Sequence, residues 1–214
     1  MKTFVKFTGL TDAETVRRVP DGGAAGFVIG VPDSPSNLDA AAAAALIDAL
    51  PKEAEAWAVV VNPPAELIHQ LFDDVGVDRI EVHGAVPEGL EFLEIHHLVP
   101  SLPIPRHGTE GPEPKVPPAE DYSRLHLDSG SAVVGASEQQ VDWEMCSRLV
   151  EAQPGRKLVL AGGLTAANVA EALAIVRPWG LDVGAGVESA PGRKALARMD
   201  EFLAAVERTE TPPG

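Results

Sequence analysis

The feature that most constrains this chain is an alternation. Short runs rich in β-branched and other apolar residues are each followed by Ala- and Leu-rich stretches of helical spacing. FVKFT (4–8), AGFVIG (25–30), AWAVVV (56–61), DRIEVH (78–83), LEIHHLV (93–99), SRLHLD (123–128), KLVLAGG (157–163) and GLDVGAG (180–186) read as eight strands. Such alternation calls for a parallel sheet with right-handed crossovers. Eight units in 214 residues favour an α/β fold of the closed (β/α)8 type over an open doubly wound sheet. The expectation is one (β/α)8 TIM-barrel domain spanning 1–214.

The intervening stretches carry helix signals. Thr11 reads as an N-cap, with Glu14 completing a capping box. Asn37 or Asp39 caps an Ala-rich helix reaching about Leu50, and Pro63 and Pro64 open a helix bearing Leu67, Ile68 and Leu71. A short helix is expected at 88–93, and longer ones at 141–151, 165–176 and 193–206. After the fifth strand the pattern fails. Residues 100–118 contain Pro100, Pro103, Pro105, Pro112, Pro114, Pro117 and Pro118, a density no helix survives, so a loop replaces the fifth helix. The tail, 208–214, reads as frayed.

Composition excludes several classes. Thirty-two acids against 17 bases give a net charge of −15, which argues against binding nucleic acid. No apolar run approaches the roughly 18 residues of a membrane span. MKTFVKFTGL has neither an apolar h-region nor a cleavage site, so a cytoplasmic protein is expected. The single cysteine, Cys146, rules out an internal disulfide and a Cys-based metal cage, and beside Met145 it reads as helix packing. The oligomeric state stays open between monomer and homodimer.

In such barrels the active site lies at the C-terminal strand ends. The expected ends are Thr8-Gly9, Gly30, Asn62, His83-Gly84, Asp128-Ser129-Gly130, Gly162-Gly163 and Gly184-Ala185-Gly186. Glycines after strands seven and eight suit a phosphate, held by exposed backbone N–H groups, although they also suit tight turns alone. The expected ligand is a small phosphorylated metabolite. Strand alternation turns Lys6, Thr8, Glu81, His83, His126, Asp128 and Asp182 inward. Buried charges need partners, so Lys6 is expected to neutralise Glu81 or Asp182. Asp128 and His83, last in their strands, read as functional. His96 and His97 would face opposite ways on a strand and cannot share a metal; His69 and His107 read as surface residues. No metal site is expected.

VKFTGLT, GFVIGVPDSPSNL, IEVHG, LHLDSG, DW, LAGGLTAANVAEAL and GLDVGAGVESAPGRK follow one another in order. Together they resemble the phosphoribosylanthranilate isomerase family from Lys6 to about Lys194. The resemblance implies a barrel with a degenerate fifth helix and an Amadori rearrangement of N-(5-phosphoribosyl)anthranilate in tryptophan biosynthesis, with no cofactor or metal. A general acid opens the ribose ring to an iminium, and a general base removes the C2 proton. The family's acid falls on Asp128. Its base, a cysteine, falls on Thr8, and its carboxylate-gripping arginine on Ser36. A glutamine of the family becomes Glu81, its glycine-rich segment before Asp142-Trp143 becomes VGASEQQ, and its Ser-Ser-Gly becomes Gly184-Ala185-Gly186. Asp182, Glu81, Ser36, Gly162, Gly163, Gly184 and Gly186 are expected to line the substrate and phosphate site. A threonine hydroxyl needs a neighbour to act as a base, and His83, Glu81 and His126 are the candidates. Three readings stay open: a working isomerase, a paralogue acting on or binding another phosphorylated metabolite, and a barrel that has lost catalysis.

Overall fold

The computed structural model describes residues 2–90, 96–130 and 139–210. Its eight main strands are β1 (Phe4–Thr8), β2 (Ala24–Ile29), β3 (Glu55–Val61), β4 (Arg79–His83), β5 (Leu98–Pro103), β6 (Arg124–Asp128), β7 (Lys157–Leu160) and β8 (Gly180–Val183). Each pairs in parallel with its neighbours in chain order, and β1 pairs with both β2 and β8. The sheet therefore closes on itself as a (β/α)8 barrel. Around it lie α1 (Ala13–Val16), α2 (Ala40–Ile47), α3 (Ala65–Gln70), α4 (Trp143–Ala152), α5 (Val169–Val176) and α6 (Leu196–Glu210).

Alternation along each strand divides the interior in two. Val5, Phe7, Phe27, Ile80, Val82, Leu125, Leu127, Leu181 and Val183 face outward and join helix residues such as Ile68, Leu149 and Phe202 in the main core. The opposite faces fill the barrel. Phe4, Ala24, Trp57, Val99 and Val159 form a small apolar cluster there, with Trp179 packed against it. Arg124 stacks over the rings of Trp179, Phe4 and Trp57, and its guanidinium grips both oxygens of Glu55 at 2.7 and 3.0 Å. Arg79 joins the same carboxylate at 3.0 Å. This aromatic and ionic plug closes the N-terminal end, opposite the strand ends where chemistry is expected.

Several local expectations need correction. The cap of α1 is Asp12, whose carboxylate accepts from Thr15 N; it lies one residue nearer the helix than Thr11 and leaves Glu14 no box to complete. Asp39, rather than Asn37, caps α2, because the Asn37 side chain is taken by Val31 N. Residues 88–90 are not helical: Pro87 precedes them and Gly89 is left-handed at φ +82°. Residues 91–93 of that proposed helix lie outside the described residues.

The fifth strand is Leu98–Pro103; of the expected 93–99, residues 96 and 97 lie in a turn and 93–95 lie outside the described residues, and the loop begins at Ile104 rather than at 100. Its two prolines remove donors, yet the ladder holds at either end through Ile80 N to His97 O and Ile104 N to Asp128 O. His96 and His97 consequently sit in the preceding turn, where the His97 ring packs edge-on to Phe72. No helix occurs between Ile104 and β6. The loop is instead pinned to the segment before α4 through Asp142 N to Pro105 O and His107 N to Gln140 O. Helix α5 begins at Val169 because Asn168 turns back, accepting from Thr165 N and donating to Gly163 O. Before α6, Arg193–Lys194 pairs with Glu188–Ala190 as a short antiparallel ribbon, which delays that helix to Leu196. Residues 208–210 belong to α6 rather than to a tail, while 211–214 lie outside the described residues. Among the described residues no helix is long and apolar enough to cross a membrane.

Candidate active site

Above the aromatic plug, the inner strand faces carry a layer of charge. Lys6 on β1 is wholly buried, and its ammonium donates to Asp182 Oδ2 at 2.6 Å, to Glu81 Oε2 at 3.0 Å and to Thr8 Oγ1. The room for this comes from β2. A Cβ at Gly26 would stand 2.6 Å from Thr8 Oγ1 and 3.0 Å from Lys6 Cε, so a side chain there would push the ammonium out of its pocket. The Thr8 hydroxyl donates to Asp182, with 2.7 Å to Oδ1 and 2.9 Å to Oδ2. His126 Nε2 lies 3.0 Å from Asp182 Oδ2 and 3.5 Å from Glu81 Oε2, while Ser101 Oγ meets its Nδ1 at 3.1 Å. His83 Nε2 donates to Glu81 Oε1 at 2.8 Å, and its ring meets that of His126 edge-on.

The charges set one another. Burial pulls the Lys6 ammonium down, but Asp182 and Glu81 outweigh it and hold Lys6 above the ordinary lysine value. Burial pushes Glu81 and Asp182 up, yet both end below the usual carboxylate range, Glu81 chiefly through His126 and Lys6, Asp182 chiefly through Lys6. Burial also opposes the His126 imidazolium, and the two carboxylates reverse that and raise it. The layer is thus two anions against an ammonium and an imidazole biased toward its charged form.

Glu81, His83 and His126 bring one ligand-type atom each within 4.8 Å of one another, a spacing that could hold a metal ion. The Lys6 ammonium, 3.0 Å from Glu81 Oε2, already supplies a cation there.

Nearer the solvent the mouth has three sectors. Asp128 ends β6 and is partly exposed; a Cβ at Gly162 would lie 3.3 Å from its Oδ1, so the carboxylate hangs over the loop after β7. Gly162 and Gly163 both turn left-handed, at φ +81° and +70°. Gly184 leads into a 3-10 turn, Ala185–Val187, where Gly186 packs so tightly that a Cβ would fall 1.9 Å from Leu164 O. The loops after β7 and β8 are therefore in direct backbone contact. Beside the β8 turn, Ser36 Oγ and Lys194 Nζ both border Gly9, and Lys194 pairs with Glu188. Between these sectors a cavity of about 320 Å³ is lined by Val61, Asn62, His83, Gly84, Ser101, Pro103 and Gly130.

The structure thus unites Lys6, Thr8, Glu81, His83, His126 and Asp182, and sets Asp128 and the glycine loops above them, with Ser36 beside Gly9 at the end of β1. Ser101 had no signal in the sequence, because the strand that carries it lies five residues later than its apolar run suggests. Asn62 is held left-handed at φ +44°, its Oδ1 accepting from Ala85 N, a strain common at working sites. Ser129 Oγ is buried beside Asp128 and has no hydrogen-bond partner among the described residues. The Cys146 thiol, in contrast, is buried and pushed up to about 12, which fits packing rather than reactivity.

A closed (β/α)8 barrel with titratable residues and glycine turns at its C-terminal mouth belongs to the class of small-molecule barrel enzymes. The model of the family "N-(5'phosphoribosyl)anthranilate (PRA) isomerase" matches residues 5–205, and the chain belongs to that family. An N-(5'-phosphoribosyl)anthranilate isomerase of Bordetella avium is 31% identical over 215 residues, covering 98% of either chain. The crystal structure of phosphoribosyl anthranilate isomerase from Thermus thermophilus superposes with a TM-score of 0.77 at 27% identity, over 96% of this chain and 99% of that one. Another isomerase of this name, crystallised with reduced 1-(o-carboxyphenylamino)-1-deoxyribulose 5-phosphate, superposes with a TM-score of 0.74 over 96% and 99%. Its 23% identity speaks for the fold.

Proposed function

We propose that this protein catalyses the isomerisation for which its family is named, the Amadori rearrangement of N-(5-phosphoribosyl)anthranilate in tryptophan biosynthesis, at the mouth of the barrel and in the cytoplasm. The observation that carries the reading is the place of Asp128. It ends β6, partly exposed, directly over the glycine turn after β7. A carboxylic acid there reaches a sugar ring whose phosphate is held by the adjoining loops. Asp128 is the general acid, protonating the ribose ring oxygen so that the ring opens to an iminium. Gly162, Gly163, Gly184 and Gly186 bring backbone N–H groups to the phosphate. Ser36 and His83 border the remainder of the substrate, and proton transfers suffice without a cofactor.

The test is a fluorescence assay of the purified protein with freshly generated phosphoribosylanthranilate, in low and in molar salt. Turnover that disappears in Asp128→Asn supports the reading. A folded protein that turns over nothing in either buffer, yet binds a phosphorylated sugar, would make this a paralogue with another substrate.

A further inference from the structure

We infer that the proton acceptor at the substrate's C2 is the Asp182 carboxylate, with Thr8 as the hydroxyl that positions it. The inference rests on the isomerase reading above and supplies the base that Thr8 alone cannot be.

The hydrogen bonds around Thr8 fix the direction. Its oxygen receives the Lys6 ammonium, and its proton is directed at Asp182. A hydroxyl solvated by an ammonium and already donating to a carboxylate has no tendency to take a proton from carbon. The two Asp182 oxygens differ. Oδ2 receives Lys6 at 2.6 Å, His126 at 3.0 Å and the longer arm of Thr8 at 2.9 Å. Oδ1 receives only Thr8 at 2.7 Å among the described residues, so it retains a lone pair for a further proton. The Lys6 ammonium keeps the carboxylate ionised, the form a base requires.

The alternatives within the layer are engaged. Glu81 has Lys6 on one oxygen and His83 on the other. His126 has Asp182 and Ser101 on its two nitrogens, so neither is free to face the substrate. His83 Nε2 is taken up by Glu81 Oε1 at 2.8 Å, and its strand, β4, pairs with neither β1 nor β8.

The step balances without another reagent. The C2–H bond of the iminium breaks, and its electron pair becomes the C1=C2 bond. The C1=N π pair moves to nitrogen, and the proton arrives on Asp182 Oδ1. The enolamine then becomes the ketone by losing its enol proton and gaining one at C1. Asp182 returns its proton to water while Asp128 regains one.

The experiment compares the wild-type protein with Thr8→Val, Thr8→Cys, Asp182→Asn and the double variant Thr8→Cys/Asp182→Asn, each checked for folding by circular dichroism. Asp182→Asn should lower kcat by roughly 10²–10⁴. The double variant should recover at least roughly tenfold of that, because a thiolate then stands where the base is needed. Its acid limb in kcat/KM should move toward a thiol's range, near about 8.5, which a purely structural defect at position 182 would not do. Thr8→Val should keep turnover within roughly tenfold of the wild type, as expected for lost positioning. Should Asp182→Asn not fold, Thr8→Val decides: retained turnover upholds the inference and abolished turnover overturns it. An active wild type with an equally active Asp182→Asn overturns the inference and leaves the isomerase reading intact. So does a folded double variant that stays inactive. A wild type without turnover that Thr8→Cys awakens shows a mouth lacking only its base, which removes Asp182 from that role. Silence in both the wild type and Thr8→Cys defeats the isomerase reading itself.

Discussion

Lys6 and Asp182 stand opposite each other in the register of β1 and β8, their Nζ and Oδ2 atoms 2.6 Å apart inside the barrel. Both are almost without solvent, and Glu81 completes the group from β4. Removing one partner of a buried ion pair leaves the others uncompensated. Lys6→Met should therefore destabilise the protein by about 3–5 kcal/mol at pH 7, the usual cost of breaking such a pair. The loss should shrink at pH 5, as the orphaned carboxylates take up protons. Urea unfolding at the two pH values measures both effects; equal losses would contradict this account of the layer.

Stability should be greatest on the acid side of neutrality. Glu81 and Asp182 titrate lower in the folded chain than in the unfolded one, so their contribution is complete above about pH 4 and fades as pH falls through their folded values. His126 is raised, so its contribution is complete below about pH 6.5 and is lost as pH climbs through its folded value. His126→Gln should remove the alkaline part of the decline and weaken the acid part, because the imidazolium is one of the charges that lower Glu81 and Asp182. Unfolding curves from pH 3 to 9 on both proteins provide the comparison.

Asp128→Asn should cost about 10²–10⁴ in kcat and change the unfolding free energy by less than about 0.5 kcal/mol, since the side chain stands partly in solvent at the mouth. A variant that loses activity and stability together would mark Asp128 as part of the scaffold.

The loop junction offers a separate handle. Gly186→Ala would drive a methyl group into the Leu164 carbonyl and force the loops after β7 and β8 apart. The expected result is a rise in KM of roughly tenfold or more, the equivalent of losing about one backbone hydrogen bond to a charged phosphate. Titration with inorganic phosphate, read by calorimetry, should weaken in parallel.

At the opposite end, Glu55→Gln removes the anion that Arg124 and Arg79 share. Stability should fall by about 1–3 kcal/mol, given hydrogen bonds to charged groups in a half-buried setting. Values of kcat and KM should stay as they are, because the plug is separated from the mouth by the Lys6 layer.

Much of this was legible in the residues themselves. Period-two alternation places Lys6, Glu81, His126 and Asp182 in one interior, and a buried lysine among acids has to be paired. Family resemblance, rather than spacing, points to Asp128 and to the vacancy at Thr8. What alternation cannot give is the angular order of side chains round a closed barrel. Nothing local says that Asp182, rather than Glu81 or His83, is the group touching Thr8; that follows from β1 meeting β8 when the sheet closes. The fifth strand misleads for a related reason. Pro100 and Pro103 read as breakers, but a strand held on both sides by neighbours tolerates the donors they lack.

The glycine at position 26 gives the charged layer an evolutionary signature. Because the ammonium of Lys6 occupies the space a side chain would need, and because its charge is cancelled by residues on two other strands, positions 6, 26, 81, 126 and 182 are physically interlocked. A lineage that trades Glu81 for a neutral residue alters the electrical balance of the whole group, so in close relatives these five sites should drift together while their outward-facing neighbours vary one at a time.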